Sequence, residues 1–243
     1  MQEPNDIALS ARDLRVSRGG QRVLTDLSFD VRKGEVFVLL GGNGAGKSTT
    51  LLTFIGLLAP DSGQALVFGN SAIEKPGEVR SQVAYLPENA ALYEHLDARQ
   101  NLRYFLSLAG AERSDQDIES ALDTVALPVE ARQRRLDSYS KGMRQKLSIA
   151  LALLRGTPIM LLDEPTTGLD PVAIGEFNEL IESLRDRGVT VLMVTHDLLG
   201  ASQVRARVGL IRDGAISAIV EPGERGTADF EELRSLFVAR NAA

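Results

Sequence analysis

The ten residues 41–50, GGNGAGKSTT, constrain this chain more than any other stretch. Gly41 is followed after four residues by Gly46-Lys47-Ser48, with further glycines at Gly42 and Gly44. This is the spacing of a loop that wraps a polyphosphate. A side chain would hold the backbone off the anion, whereas glycines let successive N–H groups turn onto its oxygens. Asn43 and Ala45 fill out the loop, Lys47 brings a mobile positive charge, and the Ser48 hydroxyl suits a phosphate-bound Mg2+. Ser48 and Thr49 also open a helix whose positive dipole end faces the anion. The flanks agree: residues 35–40, EVFVLL, form an apolar run of strand type, and 47–58 carry Leu51, Leu52, Ile55 and Leu58 on one helical side.

Composition narrows the class. A chain of 243 residues that is 44% hydrophobic can bury a sizeable core, as one large domain or a domain with an inserted lobe. A formal charge of −6 leaves no electrostatic footprint for nucleic acid. The absence of cysteine excludes disulfides and thiolate metal sites and fits a reducing cytosol. The start, MQEPNDIALSARDL, lacks the basic-then-apolar order of a signal peptide. Apolar runs reach only about six residues, against the roughly twenty that span a bilayer. Work at a membrane therefore requires another chain to cross it.

Taken in order, residues 7–16, 23–31 and 35–40 read as strands, broken at Arg18-Gly19-Gly20 and Lys33-Gly34. After the loop helix, Pro60-Asp61-Ser62-Gly63 is a turn, 64–68 a strand, and 83–86 a strand stopped by Pro87. From 97 to 155 the pattern turns helical, with Leu102, Phe105 and Leu106, then Ile118, Leu122 and Val125 behind a Ser114 cap, then Leu147, Ala150, Leu151 and Leu154. Strand character returns at 159–163 and 189–195 around a helix over 171–187, which is a βαβ unit. A hairpin turns at Asp213-Gly214, and an amphipathic helix over 229–240 ends the chain. The expected fold is α/β: a P-loop NTPase core with a mixed, largely parallel sheet, an N-terminal antiparallel β subdomain and an inserted α-helical lobe. The expected organisation is one domain over 1–243, with the core in 7–88 and 156–220, the lobe in 89–155 and a tail helix in 221–243.

A phosphate loop alone fits kinases, GTPases and many ATPases. The second informative stretch is Leu161-Leu162-Asp163-Glu164-Pro165, where a buried strand delivers Asp163 at its carboxyl end, the ligand side of open α/β sheets. Asp163 would hold Mg2+ through water, and Glu164, projecting differently, would polarise a water that attacks a γ-phosphate. The third stretch, Tyr139-Ser140-Lys141-Gly142-Met143-Arg144-Gln145, places Ser140 at a helix N-cap. It reads in isolation as simple capping, and beside a phosphate loop as a second phosphate-binding element.

These stretches, with Gly168-Leu169-Asp170-Pro171 and Thr195-His196-Asp197, stand in the order and approximate spacing of an ABC-type nucleotide-binding domain, and the resemblance spans nearly the whole chain. It implies an ATPase with ATP and Mg2+ as ligands. Lys47 binds the phosphates, Ser48 and Asp163 serve the metal, Glu164 is the catalytic base, and His196 contacts the γ-phosphate. Ser140 and Gly142 cover the ATP held by a partner, so the family works as a head-to-tail dimer. Asp170 lies at that dimer contact in the resemblance; taken alone it caps a helix begun by Pro171. Taken alone, too, a histidine after a strand is usually structural.

Some positions depart from the common family pattern. Lys141 and Met143 replace a glycine and a glutamine, and Glu88 replaces the glutamine that senses Mg2+, still with an oxygen for the metal. Arg18 stands where many members stack an aromatic on adenine, with Val23 as an apolar contact. The YLPE and YSKGMRQ variants resemble those of export ATPases that pair with separate six-helix membrane permeases. The resemblance thus implies a subunit on the cytoplasmic face of the membrane, joined to a permease and to a second, identical or different, ATP-binding subunit, and not to nucleic acid. Leu92, Tyr93 and Leu96 are either the docking surface for that permease or core of the lobe. The other reading is a soluble ABC-type ATPase acting on nucleic acid or ribosomes; such proteins carry two such domains or a long coiled coil, and this chain has neither.

Overall fold

The computed structural model describes residues 6–238 apart from 90 and 225. Two long strands, β1 (Ile7–Arg18) and β2 (Gln21–Arg32), pair as an antiparallel hairpin, and β3 (Val36–Leu40) leads into the glycine loop. Helix α1 (Lys47–Phe54) follows, then β4 (Ser62–Val67), β5 (Asn70–Ser71), α2 (Pro76–Gln82) and β6 (Val83–Leu86). Three helices come next: α3 (Ala98–Leu108), α4 (Asp115–Thr124) and α5 (Lys141–Arg155). The chain returns to the sheet with β7 (Ile159–Asp163), α6 (Pro171–Asp186), β8 (Thr190–Thr195), α7 (Leu198–Gln203), β9 (Arg207–Arg212) and β10 (Ala215–Val220), and α8 (Phe230–Val238) follows.

The ten strands among the described residues join one sheet in the order β5-β4-β1-β2-β10-β9-β3-β8-β7-β6. The half from β9 to β6 is parallel throughout, and the β5-β4-β1-β2 half is antiparallel. This is the expected α/β P-loop NTPase architecture with a mixed sheet. β3, β7 and β8 are buried at every position, as parallel strands covered on both faces must be. Because side chains alternate, Phe37, Leu39, Leu161 and Leu192 join Leu51 and Phe54 of α1 in one core, while Val38, Leu40, Leu162 and Met193 face α5 and α6 in another. The antiparallel half continues the first core, where Phe29 stacks on Phe37 with ring centroids 5.2 Å apart.

Helix boundaries follow local chemistry. Asp97 and Ser114 each form a reciprocal capping box, with Gln100 and Asp117, so α3 begins at Ala98, four residues before Leu102, its first expected apolar position. Helix α1 stops at Phe54 rather than continuing to 58. Gly56 takes φ +71 there, and a Cβ on it would meet the Ala72 Cβ and carbonyl oxygen at 3.0 Å. The short helices α2 and α7 were not expected, because neither is long enough to show an apolar period. The expected helix over 229–240 is present as α8, and residues 239–240 lie outside the described residues, as does residue 90 in the stretch before α3.

Between α4 and α5 the chain is held by a buried arginine. The Arg132 guanidinium donates to Glu119, to Asp123 and, through Nε at 3.1 Å and Nη2 at 2.9 Å, to the Leu127 carbonyl. Burial opposes its charge, yet these carboxylates hold its pKa above the ordinary value. Methionine would keep the stem and leave the carbonyl without a donor. Arg132→Met should lower the unfolding free energy by about 2 kcal/mol in urea titration, with an unchanged far-UV spectrum of the folded form.

Candidate active site

Parallel strands put their carboxyl ends on one edge, and the register makes that edge level. Leu40 pairs with Thr195, Val194 with Asp163, and Leu162 with Leu86. The glycine loop, His196, Glu164 and Glu88 therefore all leave the sheet at the same height. Open α/β sheets bind ligands at this edge.

The loop itself is shaped by its glycines. A Cβ on Gly41 would lie 2.6 Å from the Ile211 carbonyl oxygen, a backbone atom that cannot move aside. Gly46 takes φ +102 against the Val23 carbonyl and the Leu24 side chain, which joins the loop to β2. Gly42, Asn43 and Gly44 are exposed and Ala45 half-buried, so the loop's outer turn faces solvent. Behind it Lys47 is buried, its Nζ donating to the carbonyls of Gly41 at 2.8 Å and Gly42 at 3.0 Å and lying 3.3 Å from Glu164 Oε1. Thr49 is buried in the first turn of α1.

Ser48 and Asp163, far apart in sequence, are joined. The Ser48 hydroxyl donates to Asp163 Oδ1 at 2.9 Å, and the Tyr85 phenol donates to Oδ2 at 3.2 Å. Burial pushes the Asp163 carboxyl up, the two donated hydrogen bonds oppose this, and the charges of Glu164 and Glu88 add to the rise. Burial and the neighbouring Asp163 charge push the Tyr85 phenol up to about 12, so it stays a donor at any working pH.

Glu164 has a backbone that L-residues avoid, with φ +48. This turn aims its carboxylate across the sheet: Oε2 lies 2.8 Å from His196 Nδ1 and accepts the His196 N–H at 3.2 Å, while Oε1 faces Lys47. Lys47, Glu164 and His196 thus form a contiguous set beside the Ser48–Asp163 pair.

The remaining expected residues are placed as follows. Glu88 is exposed after β6 and lies 3.8 Å from the Lys141 ammonium, whose stem runs past Gly168. Ser140 caps α5 by accepting the Met143 N–H at 3.3 Å, and Gly142 lies against Leu169 and Ala173. Among the described residues no hydrogen bond or ion pair links Ser140 or Gly142 to the glycine loop of the same chain. Val23 touches the loop through its carbonyl, whereas Arg18 is exposed at the hairpin tip and, among the described residues, shares no hydrogen bond or ion pair with the loop. A cleft of about 530 Å3 flanks Gly42 to Ala45 on the side of Arg212, Ser217 and Phe237, and neither Arg18 nor Val23 lines it. Asp170 caps α6 through Oδ1 to the N–H groups of Val172 and Ala173. The Tyr85 contact with Asp163 is not among the expected ones; the YLPE stretch that holds Tyr85 points only to Glu88, and the tyrosine itself shows only as a polar atom on an otherwise apolar strand.

The donors suit the expected ligands. Crowded glycines, a buried ammonium and a helix start match a polyphosphate. A serine hydroxyl beside one carboxylate matches Mg2+, which takes few protein oxygens and completes its shell with water and phosphate. Among the described residues no cluster of three acidic, His or Cys side chains offers an all-protein metal cage.

The ABC transporter family profile matches residues 24–167, more than half of the chain and across both the glycine loop and the Asp163-Glu164 turn. The chain belongs to the ABC transporter family. It is 35% identical over 222 residues to the probable multidrug ABC transporter ATP-binding protein YbhF of Escherichia coli, a match covering 91% of this chain and 38% of that protein. The chain thus spans well under half the length of that relative. It is 34% identical to the bacitracin transport ATP-binding protein BcrA of Bacillus licheniformis, over 86% of this chain and 68% of the other. The lantibiotic transport ATP-binding protein SrtF of Streptococcus pyogenes is 32% identical, over 93% and 95%. Among solved structures, an ATP-binding subunit of an ABC transporter superposes with a TM-score of 0.75 at 34% identity, covering 87% of this chain and 89% of that one. No helix among the described residues is long and apolar enough to cross a membrane.

Asp163 gives this ABC domain a pH signature. Its folded-state pKa is raised, so the charged form costs stability, and that cost vanishes as pH falls through the raised value. Asp163→Asn should raise the melting temperature of the metal-free chain at pH 7. The gain should shrink toward zero as the pH falls below the ordinary carboxylate range. Calorimetry of both chains at several pH values in EDTA checks this.

Proposed function

We propose that this chain is the ATP-binding and hydrolysing subunit of an ABC transporter, working as an exporter through a separate membrane permease. The observation that carries the reading is the convergence of Lys47, Glu164 and His196 with the Ser48–Asp163 pair at one level edge of the sheet. The names of YbhF, BcrA and SrtF support the transport assignment, since they are ATP-binding proteins named for a probable multidrug transporter, bacitracin transport and lantibiotic transport.

In this reading Gly41, Gly42, Asn43, Gly44, Ala45, Gly46 and Thr49 wrap the triphosphate, and the Lys47 ammonium bonds its outer oxygens. Ser48 and Asp163 hold Mg2+, joined by Glu88 through a direct or water-mediated oxygen. The metal, when bound, neutralises phosphate charge. Val23 and Arg18 lie toward the base, Arg18 offering a planar guanidinium for stacking. Glu164 accepts the proton of the attacking water as its oxygen bonds the γ-phosphorus. The bond from that phosphorus to the bridging oxygen breaks, and ADP leaves with that oxygen. His196 orients the Glu164 carboxylate and reaches the γ-phosphate.

Ser140 and Gly142 present a capped helix start to a partner's nucleotide, which accounts for their separation from their own loop. Two chains, head to tail, then enclose two ATP molecules, with Asp170 and its loop between the sites. ATP binds the closed pair better than the open one, and hydrolysis removes that preference. Helices α3, α4 and α5, as a lobe, carry the movement to the permease at the cytoplasmic face of the membrane. The groove formed by Leu86, Pro87, Leu92, Phe105 and Leu151, at the open edge of β6, suits a short apolar helix of that permease.

Glu164→Gln should cut Mg-ATP turnover by at least about 100-fold and trap a nucleotide-bound dimer visible by light scattering. Full turnover in that chain removes Glu164 as the base. Purified from its native membranes with Mg-ATP, the same variant should bring down a polytopic membrane protein in stoichiometric amount. Recovery with ribosomes or nucleic acid instead would establish the soluble-ATPase reading.

A further inference from the structure

Tyr85 opens the YLPE stretch, in which only Glu88 carries an expected role, yet its phenol reaches the carboxylate that would serve the metal. It sits half-buried on β6, paired in register with Leu161 of β7, two residues before Asp163. Its ring packs on the core beneath α1, which fixes the direction of the hydroxyl. The two oxygens of Asp163 are thereby divided between two donors: Oδ1 takes Ser48 from α1, and Oδ2 takes Tyr85 from the neighbouring strand. No other hydrogen bond reaches this carboxylate among the described residues.

Division matters because a carboxylate turns readily about its last bond, where the torsional wells are broad and two-fold. One donor leaves the plane free to swing about that contact. Two donors on rigid elements, one for each oxygen, fix it. We propose that Tyr85 is a positioning residue for the metal site: its hydroxyl anchors Oδ2, so that Oδ1 stays turned toward Ser48 and the glycine loop, where Mg2+ enters with the nucleotide. The proposal rests on the ATP-binding reading above. It extends the site from the loop and the Asp163-Glu164 turn to the edge strand β6, which Glu88 follows two residues after its end.

Tyr85→Phe keeps the ring and removes only the anchor. Loss of such an outer partner weakens metal binding by about 10- to 100-fold, while the loop's grip on phosphate needs no tyrosine. The test compares wild-type and Tyr85→Phe chains in three measurements: Mn2+ affinity with a non-hydrolysable imido ATP analogue, by electron paramagnetic resonance; affinity for a fluorescent ATP analogue in EDTA; and thermal melting. The expected result is Mn2+ binding about 10-fold weaker, with metal-free nucleotide affinity unchanged and melting lowered only by the few degrees that one lost hydrogen bond costs. Mn2+ affinity unchanged within twofold overturns the positioning role and leaves the ATPase reading standing. A loss of metal-free nucleotide affinity as large as the loss for Mn2+ also overturns it, by making the hydroxyl a general structural contact. A wild-type chain that binds no Mn2+ with the nucleotide analogue overturns both.

Discussion

The site depends on strand register. β3, β8, β7 and β6 run the same way and pair without a bulge, so four chain segments leave the sheet in one row. A slip of one residue at β7 would turn Asp163 to the opposite face and bury an unpaired acid in the core. Register is held by the burial of both faces of these strands, since a shifted strand would trade the packing of two cores at once. Chemistry at the edge is thus fixed by hydrophobic packing well below it.

Above that row, charges are arranged by mutual contact. Lys47 lies between loop carbonyls and Glu164, Glu164 between Lys47 and His196, and Asp163 between two hydroxyls. Each acidic group therefore has a defined direction before any ligand contributes. Such preorganisation lowers the reorganisation needed when phosphate and metal enter. The Glu88–Lys141 contact links this cluster to the start of α5, the segment assigned to a partner's nucleotide.

Much of this was legible in the sequence because the relevant signals are local. The glycine spacing of 41–46, the apolar runs that become β3, β7 and β8, and the Ser114 and Ser140 caps each state their structure within a few residues. Contacts between distant segments were harder. The joining of Tyr85 to Asp163 depends on β6 lying beside β7, an adjacency that no periodicity encodes. The early end of α1 depends on Gly56 pressing against Ala72, again a tertiary fact. Asn101 stands in no motif, yet it is wholly buried, with its side-chain amide bonded to Tyr93 and Asp97, and so helps fix the turn ahead of α3.

The positive φ of Glu164 has a consequence for anyone altering this protein. An L-residue held there carries strain of about 1–2 kcal/mol that glycine would relieve. Glycine would also leave the buried Lys47 ammonium without its carboxylate at 3.3 Å and His196 without its partner, a loss larger than the strain relieved. The strained turn is therefore held by the charges it brings together, and a screen that scores only melting temperature would keep the acid in place.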